Sequence, residues 1–143
     1  MITSILKTVA LAAGCNQVFY ESKQLSNIIT GQALQGNVFC LIIQPNSVTI
    51  KTAGNGVRVV YPNYNIEIMQ QVNLEDTAEN NEVVFDNLME ICKAFIYELI
   101  KTGSFQKITD VSLVKIEESR YDFNPIGWSM SISLNPIINS DQC

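Results

Sequence analysis

The sequence contains no histidine, and this absence removes a large part of enzyme chemistry. Histidine is the usual general base near neutral pH and a common ligand of transition metals. Triads built on histidine and histidine metal centres are therefore excluded. Basic residues are also few, with 9 Lys and Arg against 14 Asp and Glu and a net charge of −5. Because no run of Lys or Arg is present, a protein that binds nucleic acid through its phosphates is disfavoured.

Cysteine is present but is not arranged as a metal site. Cys15, Cys40, Cys92 and Cys143 are far apart, and no C-x-x-C pair occurs, so a structural zinc site is not expected. Cys40 and Cys92 lie in apolar runs, which predicts small buried hydrophobic side chains. The spacing leaves a disulfide open without requiring one.

Motifs of catalysis and cofactor binding are missing as well. The sequence has no G-x-S-x-G, no P-loop, no G-x-G-x-x-G and no cluster with metal-ligand spacing. The glycine pair Gly54-Asn55-Gly56 is typical of a hairpin turn. We therefore expect no enzyme, no cofactor and no bound metal.

Long apolar runs are absent too, and the longest candidate, Val38–Ile43, is far too short to cross a bilayer. Near the start, the stretch Leu11-Ala12-Ala13-Gly14-Cys15 resembles the residues before the lipid-modified cysteine of an exported bacterial lipoprotein. A signal peptide needs a basic start and a continuous apolar stretch, but 1–6 carry no Lys or Arg and Lys7 interrupts the run. A lipid-anchored or secreted binding domain attached through Cys15 is thus the alternative rather than the first hypothesis.

A helix explains the same residues better. Ile2, Ile5, Leu6 and Val9 fall on one face at helical spacing, and Gly14 is suited to end the helix. A second short helix is predicted over 22–30. The strongest helical pattern runs from about 81 to 102 and is followed by Gly103.

The remaining patterns predict strands. Val38–Ile43 is a buried strand, and 47–51 and 57–61 form a hairpin that Pro62 and Asn63 break. A further strand over 66–70 alternates so as to place Glu67 and Met69 on a wetter face. The last two strands are predicted over 110–118 and 127–134, the second with strict alternation.

Together these elements predict a single α+β domain over 1–143. We expect a mostly antiparallel sheet of about five or six strands, packed by one long helix, with short N-terminal helices. The segment 135–143 is expected to be an irregular tail.

A polar and aromatic loop between the last two strands is the candidate interface. Its charged and aromatic side chains are suited to an inter-subunit contact, although a solvated connection also fits; they are Glu118, Arg120, Tyr121, Asp122 and Phe123. A small enzyme that uses carboxylates such as Glu117, Glu118 and Asp122 is a weaker hypothesis, because nothing in the sequence indicates a substrate.

Several stretches resemble one group of proteins when they are taken together. They are Ala12–Cys15 with Phe19-Tyr20, Lys23–Ile29, Phe39–Leu41 with Pro45, and Tyr121–Met130, which contains D-x-N-x-x-G-W. The chain resembles small neck or tail-terminator proteins of tailed phages, in particular crAss-like phages of gut Bacteroidetes. These are packing and turn residues, so the resemblance brings no catalytic residue with it.

The resemblance implies a structural role in the virion. We expect a ring of six or twelve copies in the neck or tail, made in the host cytoplasm and bound to neighbouring portal, neck or tail proteins, with no membrane partner. DNA would pass non-specifically through its channel, and the net negative charge suits a conduit because it repels phosphates.

Overall fold

A computed structural model describes residues 2–20, 37–45, 47–54, 56–71, 78–109, 111–116 and 125–137. Two helices and six strands are formed in this part of the chain. They are α1 (Ile2–Ala13), β1 (Gln17–Tyr20), β2 (Val38–Ile43), β3 (Thr49–Ala53), β4 (Gly56–Gln71), α2 (Ala78–Lys101), β5 (Ser112–Ile116) and β6 (Pro125–Leu134).

The six strands form one sheet in the order β1-β2-β4-β6-β5, and β3 pairs with the first part of β4. The β1–β2 pairing is parallel, and the other four pairings are antiparallel. A parallel pair needs a long crossover, and the stretch between Tyr20 and Val38 is long enough to provide it. The predicted α+β class with a mostly antiparallel sheet is therefore confirmed.

Two helices, of 12 and 24 residues, pack on one face of this sheet. α1 ends before Gly14, whose φ of 116° is accessible to glycine, and Gly103 follows α2 with a φ of 66°. Leu6, Val9 and Ala10 of α1 are buried against α2 and the sheet. The second predicted N-terminal helix, 22–30, lies outside the described residues.

The core on the helix face combines the buried sides of both helices and three strands. Its fully buried members include Phe95 and Leu99 of α2, Cys40 and Ile42 of β2, Ile66 and Ile68 of β4, and Met130 and Leu134 of β6. The alternation predicted for β6 is confirmed from Met130 to Leu134, where Met130, Ile132 and Leu134 are buried and Ser133 is exposed, whereas Trp128 and Ser129 are both half-buried.

The predicted strand break at Pro62 and Asn63 is wrong. β4 is one strand of 16 residues, and its pairing with β6 shifts register between Tyr61 and Tyr64. A proline cannot donate a ladder hydrogen bond, but it is tolerated at such a bulge. The Pro62 carbonyl also accepts a hydrogen bond of 2.6 Å from the Ser133 hydroxyl.

The predicted wetter face of β4 is also wrong. Glu67 and Met69 have no exposed surface, like Ile66 and Ile68 on the opposite face. Met69 belongs to a second apolar cluster, on the far face of the sheet, with Phe39, Leu41 and Ile116 at its centre. Alternation along a strand indicates exposure only where one face meets water, and this part of β4 is covered on both faces.

The chain leaves β6 in an ordered conformation. Pro136 forms an isolated antiparallel bridge with Phe105, and the Ile137 amide donates a 3.0 Å hydrogen bond to the Ser104 carbonyl. The start of the predicted irregular tail is thus tied to the segment after α2. Residues 138–143 lie outside the described part.

Candidate interaction surface

The interface loop predicted from sequence lies outside the described residues. Glu118, Arg120, Tyr121, Asp122 and Phe123 all fall within 117–124, which the structure does not describe. The strands that bear this loop are described: β5 ends at the fully buried Ile116, and β6 begins at the buried Pro125. The structure therefore fixes where the loop leaves the sheet and leaves its contacts a prediction.

A different feature of the described residues points to a partner: a two-stranded ribbon formed by β3 and the first part of β4. This β3–β4 ribbon comprises 47–54 and 56–61, and its strands pair from Thr49↔Val60 to Ala53↔Gly56. The predicted hairpin is confirmed, but Gly56 already pairs with Ala53, so positions 54 and 55 connect the strands and Gly54 has a φ of 59°. Two-stranded hairpins are marginally stable on their own, so their packing on other surfaces matters.

One face of the β3–β4 ribbon is apolar and exposed. Ile50 lies opposite Val59, and Thr52 lies opposite Val57, so these side chains share a face. Ile50 is 65% exposed and Val57 is 61% exposed, and Val48, just before β3, is 49% exposed. Scattered apolar side chains on a surface are normal, but a contiguous set on one strand pair is typical of an interaction site.

The other face of the β3–β4 ribbon carries two basic side chains next to Thr49 and the buried Val60. Lys51 lies directly opposite Arg58, a placement that destabilises a strand pair unless an anion lies nearby. The sequence from Ser22 to Ile66 contains no acidic residue at all. Apart from Glu21 and Asp141, every acidic residue lies between Glu67 and Asp122. Acidic residues are thus concentrated in the second half of the chain, where five of the nine Lys and Arg residues also lie.

The outer side of α2 carries much of the negative charge. Glu82, Asp86 and Glu90 follow one another at a spacing of four residues, so they form one exposed stripe. Glu90 pairs with Lys93 at 3.1 Å, and both side chains are well exposed, so solvent screens this pair. The acidic stripe, defined as these three carboxylates, therefore faces solvent over the first half of α2.

An open groove of about 290 Å³ runs between α2 and the edge of the sheet at β5. Its lining is mostly apolar: Met89, Cys92, Lys93, Ile96, Thr109, Val111, Leu113 and Met130. This α2–β5 groove lies beside the acidic stripe, because Met89 and Lys93 flank Glu90 on the same helix. The groove is apolar at its base, and its rim carries both Lys93, which pairs with Glu90, and the neighbouring acidic stripe. An apolar partner with basic side chains suits the apolar base and the carboxylates Asp86 and Glu82 beside it.

The buried thiols take part in packing. Cys15, Cys40 and Cys92 are free thiols in the helix-face core, which confirms the prediction for Cys40 and Cys92. A hydrogen bond with the Cys15 thiol and burial raise the pKa of Cys40, and burial raises the pKa of Cys92 to about 12. Cys40 and Cys92 therefore stay in the thiol form at neutral pH, and the thiolate is the form that acts as a strong nucleophile or metal ligand.

The sequence indicated the hairpin but not the role of its surface. The alternation of Val48 and Ile50 with Thr49 and Lys51 is visible in the sequence, and so is the acid-free stretch around it. What the sequence does not give is the position of this hairpin beyond the pairing of β4 with β2 and β6. That position leaves Ile50, Val57 and Lys51 exposed, while Val60, where the ribbon meets the sheet, is buried.

No protein-family profile matches this chain, and comparison with curated proteins gives no significant match. Neither of the two described helices is long and apolar enough to cross a bilayer. Among the described residues, no group of three or more Cys, Asp or Glu side chains is placed to hold a metal ion. Among the described residues, the features that indicate an interaction with a partner are therefore the β3–β4 ribbon, the acidic stripe and the α2–β5 groove.

Proposed function

We propose that this chain is a structural subunit of a homo-oligomeric ring in the neck or tail of a tailed phage, with a tail-terminator-like fold. The observation that supports an oligomer is the exposed apolar face of the β3–β4 ribbon. Burying such side chains between subunits stabilises an assembly by roughly 25 cal/mol for each Å² of apolar surface removed from water. The resemblance carried by Tyr121–Met130 supports the placement in a phage neck or tail.

The charge distribution supports the same proposal. A ring whose channel is lined by acidic side chains repels DNA and lets it slide, and the net charge of −5 suits that role. The acid-free β3–β4 ribbon, which carries Lys51 and Arg58, and the acidic stripe of α2 also give neighbouring subunits complementary surfaces. Under this proposal, portal, neck or tail proteins contact the other faces of the ring.

The alternative function, a lipid-anchored or secreted binding domain, has a distinct structural consequence. Processing before Cys15 would remove α1 and its core residues Leu6, Val9 and Ala10. Cys15 itself is 5% exposed. Mass spectrometry of the mature N-terminus distinguishes the two functions, because an intact Met1 contradicts lipid modification at Cys15.

Electron cryo-microscopy of the particle or complex that carries this chain tests the proposal directly. We expect six or twelve copies around the axis of a phage neck or tail. A lipid-modified monomer in a bacterial envelope would overturn the proposal. An assembly without rotational symmetry would also overturn it.

A variant pair tests the oligomer in solution. Ile50→Glu places a charge on the apolar face of the ribbon, and we expect weaker self-association in sedimentation velocity with an unchanged melting temperature. Leu11→Glu is the matched control, because Leu11 is 47% exposed on α1, away from the ribbon. Equal effects of the two variants would mean that the ribbon is not the contact.

A further inference from the structure

We infer that the β3–β4 ribbon of one copy lies in the α2–β5 groove of the next copy, with Lys51 and Arg58 against Asp86 and Glu90. This contact rests on the proposed function and names the partner surface within the ring. It makes the second copy, rather than another protein, the occupant of the groove.

Complementary charge identifies the occupant. The ribbon and its flanking sequence carry Lys51 and Arg58 with no acidic residue, and the acidic stripe carries three carboxylates on one helix face. Attraction between such surfaces steers association and fixes register, and it relieves the repulsion between Lys51 and Arg58. The partner that this chain itself supplies for its basic ribbon is thus the first half of α2.

The α2–β5 groove and the β3–β4 ribbon both have an apolar side that can face the other. The base of the groove is apolar, with Val111 and Leu113 beside Met89, and one face of the ribbon is apolar, with Ile50 opposite Val59. An α-helix with its side chains is about 10–12 Å across, so α2 forms a wall beside the groove. We consider a ribbon whose apolar face rests on β5. Its opposite face, with Lys51 and Arg58, then lies at the height of the solvent-facing side of α2, where Asp86 and Glu90 lie.

The fold prevents one chain from making this contact with itself. The ribbon joins the rest of the sheet at its last residue, Tyr61, which pairs with Leu134 at one end of β6. The first half of α2 lies at the other end, where the indole N–H of Trp128 donates a 3.0 Å hydrogen bond to the Phe85 carbonyl. At about 3.4 Å per residue, roughly 20 Å of strand separates Leu134 from Trp128.

A contact between two different surfaces of the same chain limits the symmetry that the assembly can have. Such a heterologous contact repeats head to tail, and it forms a ring when the rotation between copies closes. A ribbon that paired with another ribbon would instead give a two-fold dimer. The contact therefore explains a ring without any additional surface.

Charge reversal tests the contact. In Lys51→Glu/Arg58→Glu, the ribbon becomes acidic and faces an acidic stripe, so we expect self-association roughly 10–100-fold weaker by analytical ultracentrifugation. Asp86→Lys/Glu90→Lys makes both surfaces basic and is expected to have the same effect. An equimolar mixture of the two variants pairs opposite charges at every contact between alternating copies. The fourfold variant, which carries all four substitutions, pairs opposite charges between identical copies. Both are expected to restore assembly.

The matched control reverses two exposed lysines elsewhere, Lys7→Glu/Lys107→Glu, with the same change in net charge. It is expected to assemble like the wild type, and circular dichroism checks that each variant is folded. A wild type that assembles and is unaffected by either double variant overturns this contact but leaves the ring proposal. Failure of the mixture to restore assembly also overturns the contact. A wild type that is monomeric both in solution and in the particle overturns the ring itself.

Discussion

Gly127 of β6 shows how one residue sets the spacing between two strands. A Cβ atom built at this position would lie 2.0 Å from the Ile68 carbonyl oxygen and 2.9 Å from the Met69 Cα. Both neighbours are backbone atoms of β4, so neither can rotate away as a flexible side chain would. Glycine is therefore required here by close backbone approach, and its φ is not in the left-handed region.

We expect Gly127→Ala to destabilise the fold by about 3 kcal/mol or more, because the central β4–β6 pairing must separate. The matched control is Gly103→Ala, at a φ of 66° with open space around it. Its expected cost is about 1–2 kcal/mol, from left-handed backbone alone. Urea unfolding of both variants measures the difference, and similar costs would contradict the close approach at Gly127.

The thiol of Cys92 gives a second prediction at this scale. Burial raises its pKa from an ordinary value of 9.0 to about 12, so the folded state keeps a proton that the unfolded state releases. This contribution to stability is complete below pH 9 and is lost as pH rises towards 12, by about 1.4 kcal/mol per pH unit. Urea unfolding between pH 8 and pH 11 should show a steeper decline for wild type than for Cys92→Ala. Parallel curves would contradict the burial of an un-ionised thiol.

Among the elements, α2 is attached to the sheet through an aromatic and cationic contact. Trp128 of β6 packs edge-to-face on Phe85 of α2, with ring centroids 5.8 Å apart, and its indole bonds to the Phe85 carbonyl. Lys115 of β5 lies 4.5 Å from the centre of the Phe85 ring. This contact joins three elements near the start of α2, next to the acidic stripe.

We expect Trp128→Ala to cost about 3 kcal/mol of unfolding free energy, at the low end for a buried aromatic, because Trp128 is only half-buried. Trp128→Phe keeps a ring against Phe85 and removes the hydrogen-bond donor, so about 1 kcal/mol is expected. Denaturant unfolding measures both. If the two variants lost the same free energy, ring packing would not contribute to this contact.

At the scale of the whole molecule, two contacts are candidates for assembly: the β3–β4 ribbon in the α2–β5 groove, and the loop with Arg120. The β3–β4 ribbon follows from the structure, and the loop with Arg120 was predicted from the sequence. The ribbon contact and the loop contact can both be present in one ring, because each subunit of a ring meets a neighbour on each side. Their separate contributions can be measured, since Arg120 and the ribbon are distant in sequence.

We expect Arg120→Glu to weaken assembly without lowering the melting temperature of the subunit. The physical reason is that a charge at an interface rim changes association, whereas a surface substitution rarely changes folding by more than about 0.5 kcal/mol. Sedimentation velocity and thermal unfolding provide the two measurements. Normal assembly of this variant would remove the loop from the interface and leave the ribbon as the contact.

Local signals in the sequence determined the helix ends and most strands. Gly14 and Gly103 end α1 and α2 because they adopt positive φ, and the alternation from Trp128 to Leu134 needs only a half-buried strand. These features depend on neighbours along the chain. The lack of histidine likewise limits chemistry whatever the fold.

Tertiary structure decided what each strand meets. Glu67 is buried although its strand alternates, because the second face of the sheet is covered as well. Pro62 lies within β4 because a bulge against β6 accommodates it. Ile50 and Val57 are exposed, although their residue types predict burial, because the ribbon extends past the strands that could cover it. Burial is set by contacts between distant segments, and a local pattern does not contain them.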